Sequence, residues 1–149
     1  MLRLIILLLL LPFSAYAQGT HLWQDYTNVR YAYSICYPAD LLIPQGEADN
    51  SDGQAFIAKD GAKLIVYASY NAAEKTLGDA LNDVSGDLSY RRLANDWFAA
   101  SGTQDGKIFY TKTMFNDGQF TSFKLTYDQA QADVYNPLIK KLLGCFEKK

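Results

Sequence analysis

The stretch Asn28–Pro44, NVRYAYSICYPADLLIP, decides how the rest of the chain is read. Val29, Tyr31, Tyr33, Ile35 and Tyr37 share one parity; Arg30, Ala32, Ser34 and Cys36 share the other. Period-two alternation of this length predicts a strand. Its aromatic face would pack a core, and its small face would suit close approach of a helix. Pro38 has no N–H for a sheet ladder, so the strand should end there. Pro44 closes the Leu41-Leu42-Ile43 run that follows.

Working back from this stretch, the chain begins with Met1-Leu2-Arg3, an unbroken apolar run from Leu4 to Leu11, and small residues at Ala15 and Ala17. This is the pattern of a secretory signal peptide over residues 1–17, cleaved before Gln18. The apolar run is far shorter than the ~20 residues that span a bilayer, so no membrane span is expected after cleavage. No cysteine follows the cut, which excludes a bacterial lipoprotein anchor. The expected location is periplasmic or secreted, with residues 18–149 forming one domain. The formal net charge of the whole chain is −2, and loss of Arg3 makes it more negative. Mixed signs with a slight acidic excess exclude a nucleic-acid binder, which needs concentrated lysine and arginine.

Cys36 and Cys145 both lie beyond the cut. An even cysteine count in an oxidising compartment predicts a disulfide, here tying the first strand to the last helix. The alternative is two buried free thiols. The spacing excludes a CxxC redox site.

Outward in the other direction, Gln18–Tyr26 reads as a polar arm and Gln45–Gly53 as an acidic loop. Residues 54–59 and 63–70 form a hairpin around Asp60-Gly61. Leu64-Ile65-Val66-Tyr67-Ala68 is apolar on both parities, which predicts a strand covered on both faces. Thr76 with Asp79 makes a capping-box variant, after which Leu77, Ala80, Leu81, Val84 and Leu88 recur at helical spacing. Strands are expected at 96–100, 107–115 and 120–127. A final helix carries Val134, Tyr135, Leu138, Ile139, Leu142 and Phe146, with Pro137 breaking or starting it. The sum is about six strands and two helices, an α+β class with a central antiparallel sheet and one helix on each face.

The order W-x-x-Y-T-N-x-R-Y-x-Y-S-I-x-Y-P-A-D-L (Trp23–Leu41), D-G-x-x-F (Asp52–Phe56), D-G-x-x-L-x-V-Y (Asp60–Tyr67), W-F-x-x-S-G (Trp97–Gly102) and G-x-I-F-Y (Gly106–Tyr110) resembles small exported bacterial proteins of the PsbP and Mog-like group. The resemblance implies an α/β/α sandwich and a non-catalytic accessory or binding role. It carries over no functional position. Cys36 and Cys145 stand where the group's pattern has ordinary residues, which adds to the case for their pairing.

The residues offer little chemistry. His21 is the only histidine, and it lies in the terminal arm, where nothing is expected to orient it as a base. GxSxG, HExxH, P-loop and GxGxxG patterns are absent. No zinc ligand set exists, and no metal or cofactor is expected. The acidic loop holding Glu47, Asp49 and Asp52 fails EF-hand spacing, since Gly53 is one place late and Ala58 stands at the glutamate position. A weak, irregular calcium site there is the alternative to a solvated turn. Asp79, Asp83 and Asp87 recur every four residues, a solvated stripe or a docking edge for a basic partner. With Glu47, Asp49 and Asp52, they and the aromatics Tyr70 and Phe120 make up the candidate binding surface. The expected function is a non-catalytic binding module for a protein or envelope component. Two alternatives are an inhibitor or immunity protein against an exported hydrolase, and a small enzyme using Asp49 and Asp52 alone.

Overall fold

A computed structural model describes residues 20–149. The signal peptide predicted over residues 1–17, with cleavage before Gln18, lies outside the described residues. Ten strands and two α-helices follow in order: β1 Trp23–Asn28, β2 Tyr33–Pro38, β3 Ile43–Glu47, β4 Gly53–Ile57, β5 Lys63–Tyr70, α1 Leu77–Asn82, β6 Asp87–Leu93, β7 Trp97–Gln104, β8 Lys107–Asn116, β9 Gln119–Asp128, α2 Ala132–Cys145 and β10 Glu147–Lys148. They form a seven-stranded sheet, β3-β4-β5-β9-β8-β7-β6, and a three-stranded one, β1-β2-β10. Every pairing is antiparallel.

The long strand read from Val29 is in fact a hairpin. The Asn28 side chain accepts a hydrogen bond from the Tyr31 N–H at 2.9 Å, and Ala32 takes φ 50°. A short polar side chain that captures a nearby backbone donor turns the chain where alternation alone would extend it. Val29, assigned to the core by parity, is 89% exposed at this turn. The Gln18–Tyr26 arm correspondingly contributes β1. Pro38 does end β2, as expected: β10 pairs only with Tyr33 and Ser34, so the proline leaves no ladder bond unmade on that side.

All six residues of β2 are buried. Its aromatic parity packs onto the large sheet, with Tyr37 4.5 Å from Phe56 between ring centroids. Its small parity meets α2, where Cys36 is bonded to Cys145 with Cα atoms 5.7 Å apart. The free-thiol alternative is thereby set aside. Tyr127 stacks on Tyr135, and Phe123 meets Phe146 edge-on, so α2 and its C-cap seal the same face of the sheet. Phe56, Leu64, Val66, Phe123 and Leu125, all fully buried, are the sheet's share of this core.

The opposite face departs from expectation. Directly paired residues share a face, so Ile57, Ile65, Tyr67, Ser122, Lys124, Thr111, Thr113, Phe98 and Ala100 stand together away from α2. Here α1 packs chiefly on β7 and β6, with Leu81 against Phe98 and Ala100. The expected helix layer on each face therefore does not form. One face is closed by a mixed layer of β1-β2-β10 and α2, and the other is closed at one end only. Tyr67, in the strand read as doubly covered, is 44% exposed.

The first helix is short for a physical reason. Thr76 and Asp79 make the reciprocal capping box, but Gly86 adopts φ +118°, outside helical space. Leu88 consequently belongs to β6, and the Asp79, Asp83, Asp87 stripe is not a helix face: Asp83 is the C-cap and Asp87 opens a strand. Pro137 neither breaks nor starts α2 but lies inside it. The cost of an interior helix proline, ~3 kcal/mol, is offset by burial of Tyr135, Leu138 and Leu142.

Two consequences can be measured. The Cys36–Cys145 pair spans 109 residues, so Cys145→Ser should lower the unfolding free energy by about 2–5 kcal/mol in guanidinium titration. A Cβ on Gly102 would lie 2.0 Å from the Asp87 carbonyl oxygen, so Gly102→Ala should destabilise by at least ~1–3 kcal/mol and loosen β6 from β7 in amide exchange.

Candidate functional site

The half-covered sheet face holds a groove of about 440 Å3. Its floor is polar: Thr111, Thr113, Ser122 and Lys124 occupy adjacent positions on β8 and β9. Ala80, Asp83 and Val84 near α1 make one wall, and Tyr67 of β5 makes the other. Phe120 lies toward the β8–β9 turn, where its ring packs 4.6 Å from Phe115. A strand advances ~3.4 Å per residue, so Phe120 and Lys124 mark the two ends of a slot roughly 14 Å long.

The floor hydroxyls already hold one another in place. Thr113 Oγ1 and Ser122 Oγ are 2.8 Å apart, and Thr111 Oγ1 donates to the Phe123 carbonyl at 2.8 Å. Lys124 donates to Gln104 Oε1 at 2.5 Å and lies 4.4 Å above the Phe109 ring. Burial pushes its ammonium below the ordinary lysine range, while Asp105 opposes that shift. It makes no ion pair within 4.0 Å among the described residues. Among the described residues, the one ion pair at the groove is on its rim, Lys75 to Asp83 at 2.6 Å. The floor thus offers hydroxyl lone pairs, spare ammonium protons and aromatic edges; among the described residues Lys124 bonds to Gln104 and not to a floor hydroxyl.

Of the residues predicted as a binding surface, the structure brings only Asp83 and Phe120 into this groove. Asp79 is engaged in capping α1, and its hydrogen bonds from Thr76 hold its carboxyl below the usual carboxylate range. Asp87 opens β6 and is exposed. Glu47, Asp49 and Asp52 gather elsewhere, beside the β1–β2 turn. Glu47 accepts from the Tyr26 hydroxyl at 2.8 Å, Arg30 donates to the Asn50 carbonyl, and the Asp52 carbonyl takes the Tyr33 hydroxyl at 2.9 Å. Asp49 is exposed. Tyr70 lies at that same end, its ring 5.2 Å from Tyr31. The acidic loop therefore acts as a strap that anchors the turn. Among the described residues, no group of three or more His, Cys, Asp or Glu is placed to hold a metal ion.

His21 is also accounted for. Its Nδ1 lies 2.8 Å from Asp40 Oδ2, and the Leu22 N–H donates to the same carboxylate. These bonds hold Asp40 below the usual carboxylate range and pin the chain ahead of β1. A larger cleft of about 720 Å3 opens between this segment and α2, lined by Trp23, Pro137 and Lys141. It contains none of the predicted residues.

The groove floor was present in the sequence as the second parity of the last strand: Phe120, Ser122, Lys124, Thr126. A lysine in mid-strand between hydroxyl residues is the signal. What could not be read is that this parity stays open, because that depends on where α1 stops.

No protein-family model matches the chain, and no curated protein is significantly similar to it. Among solved structures, the cyanobacterial PsbP protein CyanoP from Synechocystis sp. PCC 6803 is similar, with a TM-score of 0.65 and 16% sequence identity. The likeness covers 91% of this chain and 98% of that one. The chain has a PsbP-like fold. No helix among the described residues is long and apolar enough to cross a membrane.

Because Lys124 is desolvated, its folded-state proton affinity is reduced relative to the unfolded chain, and its charge opposes folding at neutral pH. Lys124→Met should therefore raise the melting temperature at pH 7. The gain should shrink as pH rises toward the ordinary lysine value of 10.5, since the folded wild type sheds the proton first. A lower melting temperature at every pH would instead make the Gln104 and Phe109 contacts dominant.

Proposed function

We propose that this protein is an exported, non-catalytic binding or accessory module that seats a protein or envelope component on the half-covered face of its large sheet. One observation carries the reading. Tyr67, Ile57 and Ile43, on the strands β5, β4 and β3, stay 44%, 37% and 50% exposed and lie together on one face. That face runs directly into the Lys124 groove. Apolar surface rimmed by polar groups marks interaction sites on soluble proteins. Lys124, half-buried and in no ion pair among the described residues, adds a cation to that surface.

The PsbP-like fold supports an accessory role by analogy. Export is supported by the leader pattern in residues 1–17 and by the Cys36–Cys145 disulfide, which persists in oxidising compartments.

The test is cross-linked capture of a tagged chain in its own compartment, repeated with Tyr67→Asp and Lys124→Glu. The expected result is a discrete partner whose recovery falls roughly tenfold with either variant, in the range of a lost hot-spot contact. Recovery that is unchanged in both folded variants would remove this face from the function.

A further inference from the structure

A second surface, on the far end of the sealed face, is organised around β7. Ala99 of β7 is paired with Arg92 of β6 on one side and with Lys112 of β8 on the other. Ser101 is likewise flanked by Tyr90 and Tyr110. Small side chains between large ones make a trough along β7, closed at one end by Trp97. The Arg92 guanidinium lies 5.3 Å from the Trp97 ring centroid, and the Lys112 ammonium 5.1 Å from the same centroid. The nearest acidic residues along the chain are Asp87, which opens β6, and Asp96, beside Trp97. Neither comes within 4.0 Å of Arg91, Arg92 or Lys112, and no other ion pair engages these cations among the described residues. Two cations share one indole with no carboxylate in ion-pair contact, and Asp96 acts on Lys112 only from farther away.

The trough also meets an open edge. β6 is the last strand of the seven-stranded sheet, so the outer side of its backbone has no strand partner. Arg91 projects on the other face and bonds to Asn82 Oδ1 at 2.9 Å. Tyr90 and Leu93 are 43% and 52% exposed on opposite faces of the same strand.

We propose that the β6 edge and the Arg92–Trp97–Lys112 trough together receive an extended acidic segment of a partner protein, which adds as an eighth strand beside β6. Two features favour a peptide over an anionic glycan or a nucleic acid. The cations already cover the indole, which leaves no clear platform for stacking a sugar or base. An unpaired strand edge offers N–H and C=O groups that a peptide backbone satisfies in register. Arginine stacked on an aromatic ring keeps its edge donors available for carboxylates. The bland role of edge arginines is to repel other edges, and it accounts for Arg91 but not for the convergence of Arg92 and Lys112 on Trp97.

The probe is a fluorescein-labelled octapeptide of alternating glutamate and threonine, with a lysine-for-glutamate peptide as its opposite. Fluorescence anisotropy should show saturable binding of the acidic peptide, weakening as salt rises, and none of the basic one. Arg92→Glu/Lys112→Glu should weaken it by roughly tenfold or more, as expected for two lost surface pairs turned repulsive. Thermal melts establish that this variant folds, and Arg92→Gln/Lys112→Gln replaces it if it does not. Amide exchange should show new protection along 87–93 on binding. Failure of the acidic peptide to bind, binding that leaves β6 amides unprotected, or a sulphated polysaccharide that binds where the peptide does not would each overturn the proposal.

Discussion

The structure depends on how one face of the seven-stranded sheet is closed. Its cover is assembled from the two ends of the described chain: β1 and β2 from the start, α2 and β10 from the finish. Neither end can bury its apolar surface alone. Tyr33, Ile35 and Tyr37 need the sheet beneath them, and Tyr135, Leu138 and Leu142 need the same sheet from α2. The Cys36–Cys145 bond fixes the two halves of the cover to each other, chiefly by limiting how far they separate in the unfolded chain. A domain whose last element must find its first has high contact order, and the covalent link makes that long-range closure durable.

The other face has no such cover. The six-residue α1 protects Phe98 and Ala100 and stops. Beyond it the strand residues become hydroxyls and a lysine, then exposed tyrosine and isoleucine. A surface of this kind can be stable because its polar atoms satisfy one another, as Thr113 and Ser122 do. It can also be useful, because its apolar part remains available. Rigid strands hold each of these side chains, so a partner would meet a preformed surface.

Much of the fold was legible. The Asp60-Gly61 hairpin, the capping box at Thr76 and the three long strands from Trp97 to Asp128 follow from local turn chemistry and alternation. The disulfide follows from the cysteine count and the export expected from the leader pattern. Errors arose where a local side-chain bond or a distant contact overrode pattern. Asn28 turned an alternating run into a hairpin, Gly86 ended a helix whose leucines continued in register, and β1 hid in a polar arm because Trp23 and Tyr26, its half-covered residues, lie three apart and show no alternation. The site was read less well than the fold. Acidic residues attracted attention by their charge, yet Asp79 is a cap, and Glu47 and Asp52 belong to a strap that anchors the β1–β2 turn. Lys124, Thr111, Thr113 and Ser122 were overlooked because their importance comes from what fails to cover them.

The two faces of the large sheet are unequal: α2 and β1-β2-β10 cover one over β4, β5 and β9, and the other stays open along β3, β4 and β5. Site-specific photo-cross-linking tests this directly. A benzophenone side chain placed at Tyr67, on the half-covered face, and at Val134, on the helix that seals the other, is irradiated in the living cell. The account predicts a discrete higher-mass adduct from position 67 and none from position 134. Adducts from position 134 alone would contradict it and move the working surface to α2.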